Sequence, residues 1–306
     1  MHAREHSNGD FFLAIDFGGT KIALCTASPE GQAIHSARLD TCAEAGADQA
    51  LERTLARAEE LVDATPGRLA VVAAVGPGIV RADDVLLAPN VPGWDRLALP
   101  ARLREAFDPE AVAVGNDVKA AALAESRWGS LQGTDPALLL NLGTGVAIAI
   151  VAGGAVLEGA HGAAGEIGYT QLEQDRAGAA DGRAPLEELV GGRAIGERAG
   201  LLLGRRLSAE DAFGDDDPRV RALVEDALSE LGRQLANVAI VVDPQRIAVA
   251  GGLMRSAATV LPVLADRLAR VVPFPPELVP ARFTEDGALR GAVALAMDTY
   301  DQRRAP

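Results

Sequence analysis

Cysteine is almost missing from this chain: Cys25 and Cys42 are the only two in 306 residues. Two thiols cannot build a disulfide framework or a four-thiolate metal site, and their scarcity fits a reducing cytoplasm. Basic charge is also short. The 29 Lys and Arg stand against 43 Asp and Glu, a formal charge of −14, which excludes the basic footprint that nucleic acid demands. Long apolar runs are lacking too. The first, from Phe11, is interrupted by Asp16 and Lys21, so it is neither a signal peptide nor a membrane span. The polar stretch ahead of it, MHAREHSNGD at 1–10, is expected to be a loose tail, too short for a DNA-reading helix-turn-helix. What remains is an ordinary globular balance, 48% hydrophobic and 24% charged, in a length that suits two lobes better than one core.

The first informative stretch is LAIDFGGTKIALCTA, residues 13–27. Two apolar strands flank a Gly18-Gly19-Thr20 tip, with Asp16 before it and Lys21 after it. A plain hairpin accounts for the glycines, since Gly-Gly tolerates the positive φ of a tight reversal. It does not account for Asp16 and Thr20. A bare glycine tip also exposes backbone N–H groups of the kind that phosphate oxygens bind. The stretch is neither a GxGxxG fingerprint nor a Walker A loop, and both readings stay open on these residues alone.

Further along, strands alternate with helices, the pattern of an α/β fold. GQAIHSARLD gives a third strand, and Leu51, Leu55, Ala58 and Val62 recur at helical spacing over 47–63. RLAVVAAVGPGIV is a buried strand ending in a Gly-Pro-Gly turn, and PNVPGW at 89–94 is a loop. A short helix is expected over 99–107. AVAVGND is another strand, with Asn116 and Asp117 at its end and a helix directly after. Then ALLLNLGTGVAIAIVAGGAVLEG, residues 137–159, repeats the opening unit: strand, Gly-Thr-Gly tip, strand, Gly-Gly turn, strand. The repetition predicts two related lobes, each presenting a glycine tip to a shared cleft. Residues 170–185 are expected to be a surface loop. Pro218–Val238 is an amphipathic helix. RIAVAGGLMRSA is strand, Gly-Gly, helix, a turn at the carboxyl end of a strand, where open α/β sheets bind ligands. ALRGAVALAM closes the chain as a helix.

With these pieces in order, the sequence resembles the ROK family of sugar kinases and repressors, within the actin–hexokinase–Hsp70 superfamily. The matching stretches are DFGGTK at 16–21, PNVPGW at 89–94, GNDVKAAALAE at 115–125, NLGTGVAIAIVAGGAVLEG at 141–159, HGAAGEIGY at 161–169 and VAGGL at 249–253. The resemblance implies a two-lobed, actin-like (ribonuclease H-like) α/β fold with a nucleotide and sugar cleft between lobes. The lobes would be 11–115, with the closing helix 288–306 packed back on it, and 116–287. It implies ATP and Mg²⁺ as cofactors. Gly18, Gly19, Thr20 and Lys21 would hold the phosphates, Asp16 would help to hold the Mg²⁺, and Gly143, Thr144 and Gly145 would face them. Gly251 and Gly252 would pass close to the adenosine, where a side chain would collide. Asp117 matches the catalytic base, although an Asp at a helix start is also an ordinary N-cap. Sugar binding would fall to Asn116, Asp117, Glu166, Tyr169 and Glu187, with Gly78 and Asn90 as further candidates.

One departure stands out. Many members follow the Glu-Ile-Gly step with His and a cysteine-rich, zinc-binding stretch. Here Tyr169 takes that place and no cysteine follows Cys42, so no zinc site is expected. The resemblance implies a cytoplasmic hexose kinase, with glucose phosphorylated at its 6-hydroxyl. An amino- or N-acetylamino-hexose (kanosamine included) is the alternative acceptor, and polyphosphate an alternative donor. A sugar-sensing regulator is the contrasting class. It also implies a homodimer, with neither nucleic acid nor membrane as partner.

Overall fold

The computed structural model describes residues 9–80, 85–86, 92–172 and 178–304. The chain divides into two compact units, one of residues 1–124 with 286–306, the other of residues 125–285.

The first unit opens with β1 (Asp10–Phe17), β2 (Lys21–Ala27) and β3 (Ala33–Asp40), followed by α1 (Ala47–Asp63) and β4 (Arg68–Gly76). A two-stranded ribbon of β5 (Ile79–Val80) and β6 (Val85–Leu86) comes next, then α2 (Leu99–Phe107), β7 (Ala111–Asn116) and α3 (Asp117–Trp128). Its sheet runs β3-β2-β1-β4-β7. β1 is antiparallel to β2 and parallel to β4, which is parallel to β7. The central strands β1 and β4 are apolar almost throughout because both faces are covered. α1 lays Ala47, Leu51, Leu55, Ala58 and Leu61 on one face, packed with Leu13, Ile15, Leu24 and Val72.

The second unit repeats the plan. β8 (Ala137–Leu142), β9 (Val146–Ala152) and β10 (Ala155–Val156) form the meander. The helices α4 (Glu187–Val190), α5 (Gly192–Leu203), α6 (Ala209–Phe213) and α7 (Pro218–Val242) lead into β11 (Arg246–Ala250), α8 (Ala257–Val271) and β12 (Glu277–Pro280). Strand order is β10-β9-β8-β11-β12, with the same pattern of antiparallel and parallel neighbours as in the first sheet. The duplication read from the two glycine tips is a duplication of topology. α7 runs to Val242, four residues past the apolar periodicity. The helices α4 to α6 and the strand β12 had no clear sequence signal. They are short or lie between glycines, so no apolar period repeats within them.

Helix α9 (Gly287–Arg304) returns to the first unit. There it crosses α3 so closely that a Cβ on Gly291 would collide with the Ala120 backbone. Its end is fastened to the start of β1. Asp10, only 12% exposed, accepts hydrogen bonds from the Tyr300 hydroxyl (2.6 Å), Arg304 Nη2 (2.6 Å) and Arg68 Nε and Nη2 (2.9 Å each). β1 thus begins at Asp10, inside the stretch expected to be loose. No helix among the described residues is long and apolar enough to cross a membrane.

The Asp10 carboxyl is held below its ordinary 3.8, first by the Tyr300 hydrogen bond and then by Arg68, against the opposing effect of burial. A depressed carboxylate pKa stabilises the fold above the unfolded value and loses that contribution as pH falls through the folded one. Asp10→Asn is therefore expected to cost about 1 kcal/mol at pH 7. The difference from wild type should shrink below about pH 4, as denaturant unfolding at the two pH values would reveal.

Candidate active site

In the first unit the parallel strands β1, β4 and β7 align Asp16, Val75 and Gly115 side by side near their carboxyl ends. Asp16 projects just before the hairpin tip, and Asp117 opens α3 immediately after β7. Asn116 is the helix cap: its Oδ1 accepts the Lys119 N–H (3.0 Å), and its Nδ2 donates to the Gly78 carbonyl (3.0 Å). Gly78, at φ +82°, is buried and serves to hold Asn116 in place. With the cap supplied by Asn116, Asp117 accepts the adjacent Val118 N–H on Oδ1 (2.8 Å).

Burial pushes the Asp117 carboxyl up, against that Val118 hydrogen bond. Asp16 is pushed up to about 7, by burial first and by the Asp117 charge second. The helix N-terminus, which on its own would favour the carboxylate, does not outweigh burial at Asp117. Two half-buried carboxyl groups pushed up in pKa, one of them by the other's charge, are what a divalent cation would neutralise. Asp16 fits the part of Mg²⁺ ligand.

The tip itself is built differently from a simple Gly-Gly reversal. Gly18 is not in the left-handed region; it is required because a Cβ there would lie 2.5 Å from the Lys21 carbonyl oxygen. Gly19, Thr20 and Lys21 are exposed. Behind them, buried Thr41 donates its hydroxyl to the Gly18 carbonyl (2.6 Å) and its N–H to the Thr20 carbonyl (2.9 Å).

In the second unit the Gly143-Thr144-Gly145 tip joins β8 to β9. The N–H groups of Gly192 and Arg193, at the start of α5, donate to the carbonyls of Gly143 (3.0 Å) and Thr144 (3.2 Å). Half-buried Glu187 accepts the Val146 N–H (3.1 Å) and lies where a Gly145 Cβ would be. The next residue, Glu188, is instead paired with Arg183 at the surface. A loop pinned by the Gly165 carbonyl to the Ile148 N–H (2.9 Å) carries Glu166 into a turn ending at Tyr169. The Tyr169 phenol is pushed above its ordinary value, by burial first and then by Glu187 and Glu166. Glu166, Tyr169 and Glu187 are therefore brought together. His161 is exposed. Asn90 lies outside the described residues.

Gly143, Thr144 and Gly252 line one pocket of about 520 Å³, a volume in the range of ligand sites. Arg193, Ser208, Glu210 and Arg255 are among its polar lining. None of these four was singled out in the sequence; the signal was the VGGRA stretch, whose glycines start α5 under the tip. The two later glycines are held for different reasons. Gly251, at φ +93°, is excluded from bearing a side chain by the Leu142 backbone of its own unit. Gly252 has nothing within 4 Å of its missing Cβ and opens onto the pocket. Among the described residues, no group of three or more His, Cys, Asp or Glu side chains converges as a metal site.

Two α/β units of identical strand order, each with a glycine tip, define a two-lobed protein of the actin-like ATPase class. The ROK family pattern matches residues 12–299. The chain is 30% identical over 296 residues to a kanosamine kinase of Amycolatopsis mediterranei, covering 94% of this chain and 96% of that protein. It is 32% identical over 293 residues to an N-acetylmannosamine kinase of Escherichia fergusonii, covering 93% and 97%. Its structure matches a ROK family glucokinase from Streptomyces griseus, solved with glucose and AMPPNP, at a TM-score of 0.74 and 25% identity over 94% and 99% of the two chains. The chain belongs to the ROK family, and its activity is that of a ROK-type sugar kinase.

The raised Asp16 carboxyl has a consequence for stability. Its unfolded value is 3.8 and its folded value about 7, so between these the folded state binds more protons. Stability then falls as pH rises across that window and stays low above it. In EDTA, Asp16→Asn is expected to be more stable than wild type at pH 8, by roughly 1–3 kcal/mol. The gain should vanish near pH 4. Thermal unfolding at the two pH values reads the effect; an Asn variant less stable at pH 8 would contradict it.

Proposed function

We propose that this protein transfers the γ-phosphoryl group of ATP to a hydroxyl of an amino-hexose in the cytoplasm. The observation that carries the acceptor class is the grouping of Glu166, Tyr169 and Glu187. Two acidic side chains act on a neutral phenol between them, and such a wall favours a sugar bearing an ammonium group over a neutral one. The kanosamine kinase relative is consistent with this reading. Glucose is the second reading, favoured by the glucokinase neighbour that holds glucose with AMPPNP.

Phosphoryl transfer requires mainly positioning and charge neutralisation, with one group to take the hydroxyl proton. Asp117 is that group. Burial raises its basicity, and the Val118 N–H on Oδ1 leaves Oδ2 for the acceptor hydroxyl. Asn116, fixed by Gly78 and by its capping bond, would offer the sugar its second amide N–H. Gly19, Thr20 and Lys21 offer an exposed tip to the phosphates. Gly143, Thr144 and Gly252 line a pocket with room for a nucleoside, which favours ATP over polyphosphate as donor. Mg²⁺, when bound at Asp16, neutralises phosphate charge.

A coupled assay with ATP, Mg²⁺ and a panel of kanosamine, glucosamine, N-acetylmannosamine, mannose and glucose tests the acceptor. The highest kcat/KM is expected for a free amino-hexose, by about tenfold or more over glucose, in line with the worth of one charge-assisted hydrogen bond. A preference for glucose would establish the second reading instead. Asp117→Asn should lower kcat by about 10²–10⁴-fold while the sugar still binds. Tyr169→Phe should change the ranking among the sugars; a loss of thermal stability alone would assign Tyr169 to packing.

A further inference from the structure

We infer that Thr41 is a positioning residue for the donor: by holding the hairpin tip from behind, it aims the Gly19 backbone amide at the phosphates. The inference rests on the donor reading given above. A trans peptide is planar, with its C=O and N–H pointing opposite ways. Fixing the Gly18 carbonyl therefore fixes the direction of the Gly19 N–H, and fixing the Thr20 carbonyl does the same for the Lys21 N–H. Thr41 holds both carbonyls at once, one through its hydroxyl (2.6 Å) and one through its own N–H (2.9 Å). It is 2% exposed and lies on the protein side of the tip, while Gly19 faces solvent. The Gly19 N–H is thereby turned away from Thr41, at the exposed end of the tip, while the Lys21 N–H is turned away from β3.

Packing alone does not provide this control. A small apolar cavity of about 10 Å³ borders the tip, lined by Phe17, Gly18, Ile22, Thr41, Ala50 and Trp94 among others. Phe17, Ile22, Ala50 and Trp94 are core residues, but apolar contact has no direction, so the hydrogen bonds set the orientation of the tip's peptide planes. Thr41 is fixed in turn from α1, where Arg53 Nη2 donates to its carbonyl (2.6 Å). The second unit solves the same problem independently. There the start of α5 pins the carbonyls of Gly143 and Thr144 from behind. In both tips two carbonyls are held on the inner side, and in the first unit a single threonine does what a helix end does in the second.

Thr41→Val keeps the side-chain shape and removes the hydroxyl; Thr41→Ser keeps the hydroxyl. Binding of Mg-AMPPNP and of adenosine is measured by calorimetry, and the KM of ATP and of the accepted sugar by steady-state kinetics. In Thr41→Val, Mg-AMPPNP affinity should fall about tenfold, the usual scale for one hydrogen bond. Adenosine affinity and the sugar KM should stay within about twofold, and Thr41→Ser should recover most of the loss. A merely structural role would weaken adenosine and AMPPNP alike, or leave Ser as poor as Val; either result overturns the proposal, as does an unchanged Val variant. Should Thr41→Val fail to fold, Arg53→Met carries the test. It frees the Thr41 carbonyl and should weaken Mg-AMPPNP about threefold with adenosine unchanged, and no change would again overturn the role. Wild-type protein that binds adenosine but not Mg-AMPPNP would refute the donor reading itself, and this role with it.

Discussion

Two carboxyl groups of like charge, Asp16 and Asp117, are held in a half-buried position at the ends of parallel strands. No element of the fold gains stability from placing them there. Burial acts against both charged forms and the Asp117 charge adds to it at Asp16, while hydrogen bonds from the Val118 and Asp117 backbone N–H groups oppose it at Asp117. The arrangement persists because the strands beneath are fixed by other means: β1 and β4 are buried along nearly their full length, and α9 closes over them. A site of this kind is stabilised from elsewhere and is most comfortable when a cation shares it.

The second unit shows what the same frame looks like without that charge. Asp16 pairs with Ala23 on one side and Val75 on the other. In the topologically equivalent place, Asn141 pairs with Ala147 and Ala250. An amide replaces the acid, and the loop beyond it opens onto a pocket instead of a carboxylate pair. The duplication is thus one of backbone, while the chemistry is divided. Acidic groups suited to metal and proton handling lie in the first unit, and a nucleoside-sized pocket with the Glu166–Tyr169–Glu187 group lies in the second.

Most of the frame could be read from sequence because it is written in local pattern. Buried strands of four or more apolar residues, the amphipathic α1 and α7, and the repeated strand–glycine–strand unit all carry their own signal. The site was only partly readable. Asp117 was credited with a possible cap, but whether Asn116 or Asp117 serves depends on which side chain points back along the helix, and Gly78 decides that from 38 residues away. The contact of Glu187 with the Val146 N–H is set by a tertiary docking that no local pattern encodes. Thr41 and Arg53 carried no motif at all, since their role is to bond backbone atoms whose position only the folded sheet defines.

The glycines give the sharpest form of this lesson. Sequence reasoning attributes a glycine beside a ligand site to the ligand, but most of these answer to the chain itself. Gly18 yields to the Lys21 carbonyl, Gly145 to the Glu187 carboxyl, and Gly251 to the Leu142 backbone. Gly252 differs, because its missing side chain would enter open space at the pocket. Tight backbone approach is what lets each tip turn two carbonyls inward, so the self-directed glycines are still part of the site, one step removed. They shape the loop that the chemistry uses, and substitution there would alter the loop before it touched any substrate.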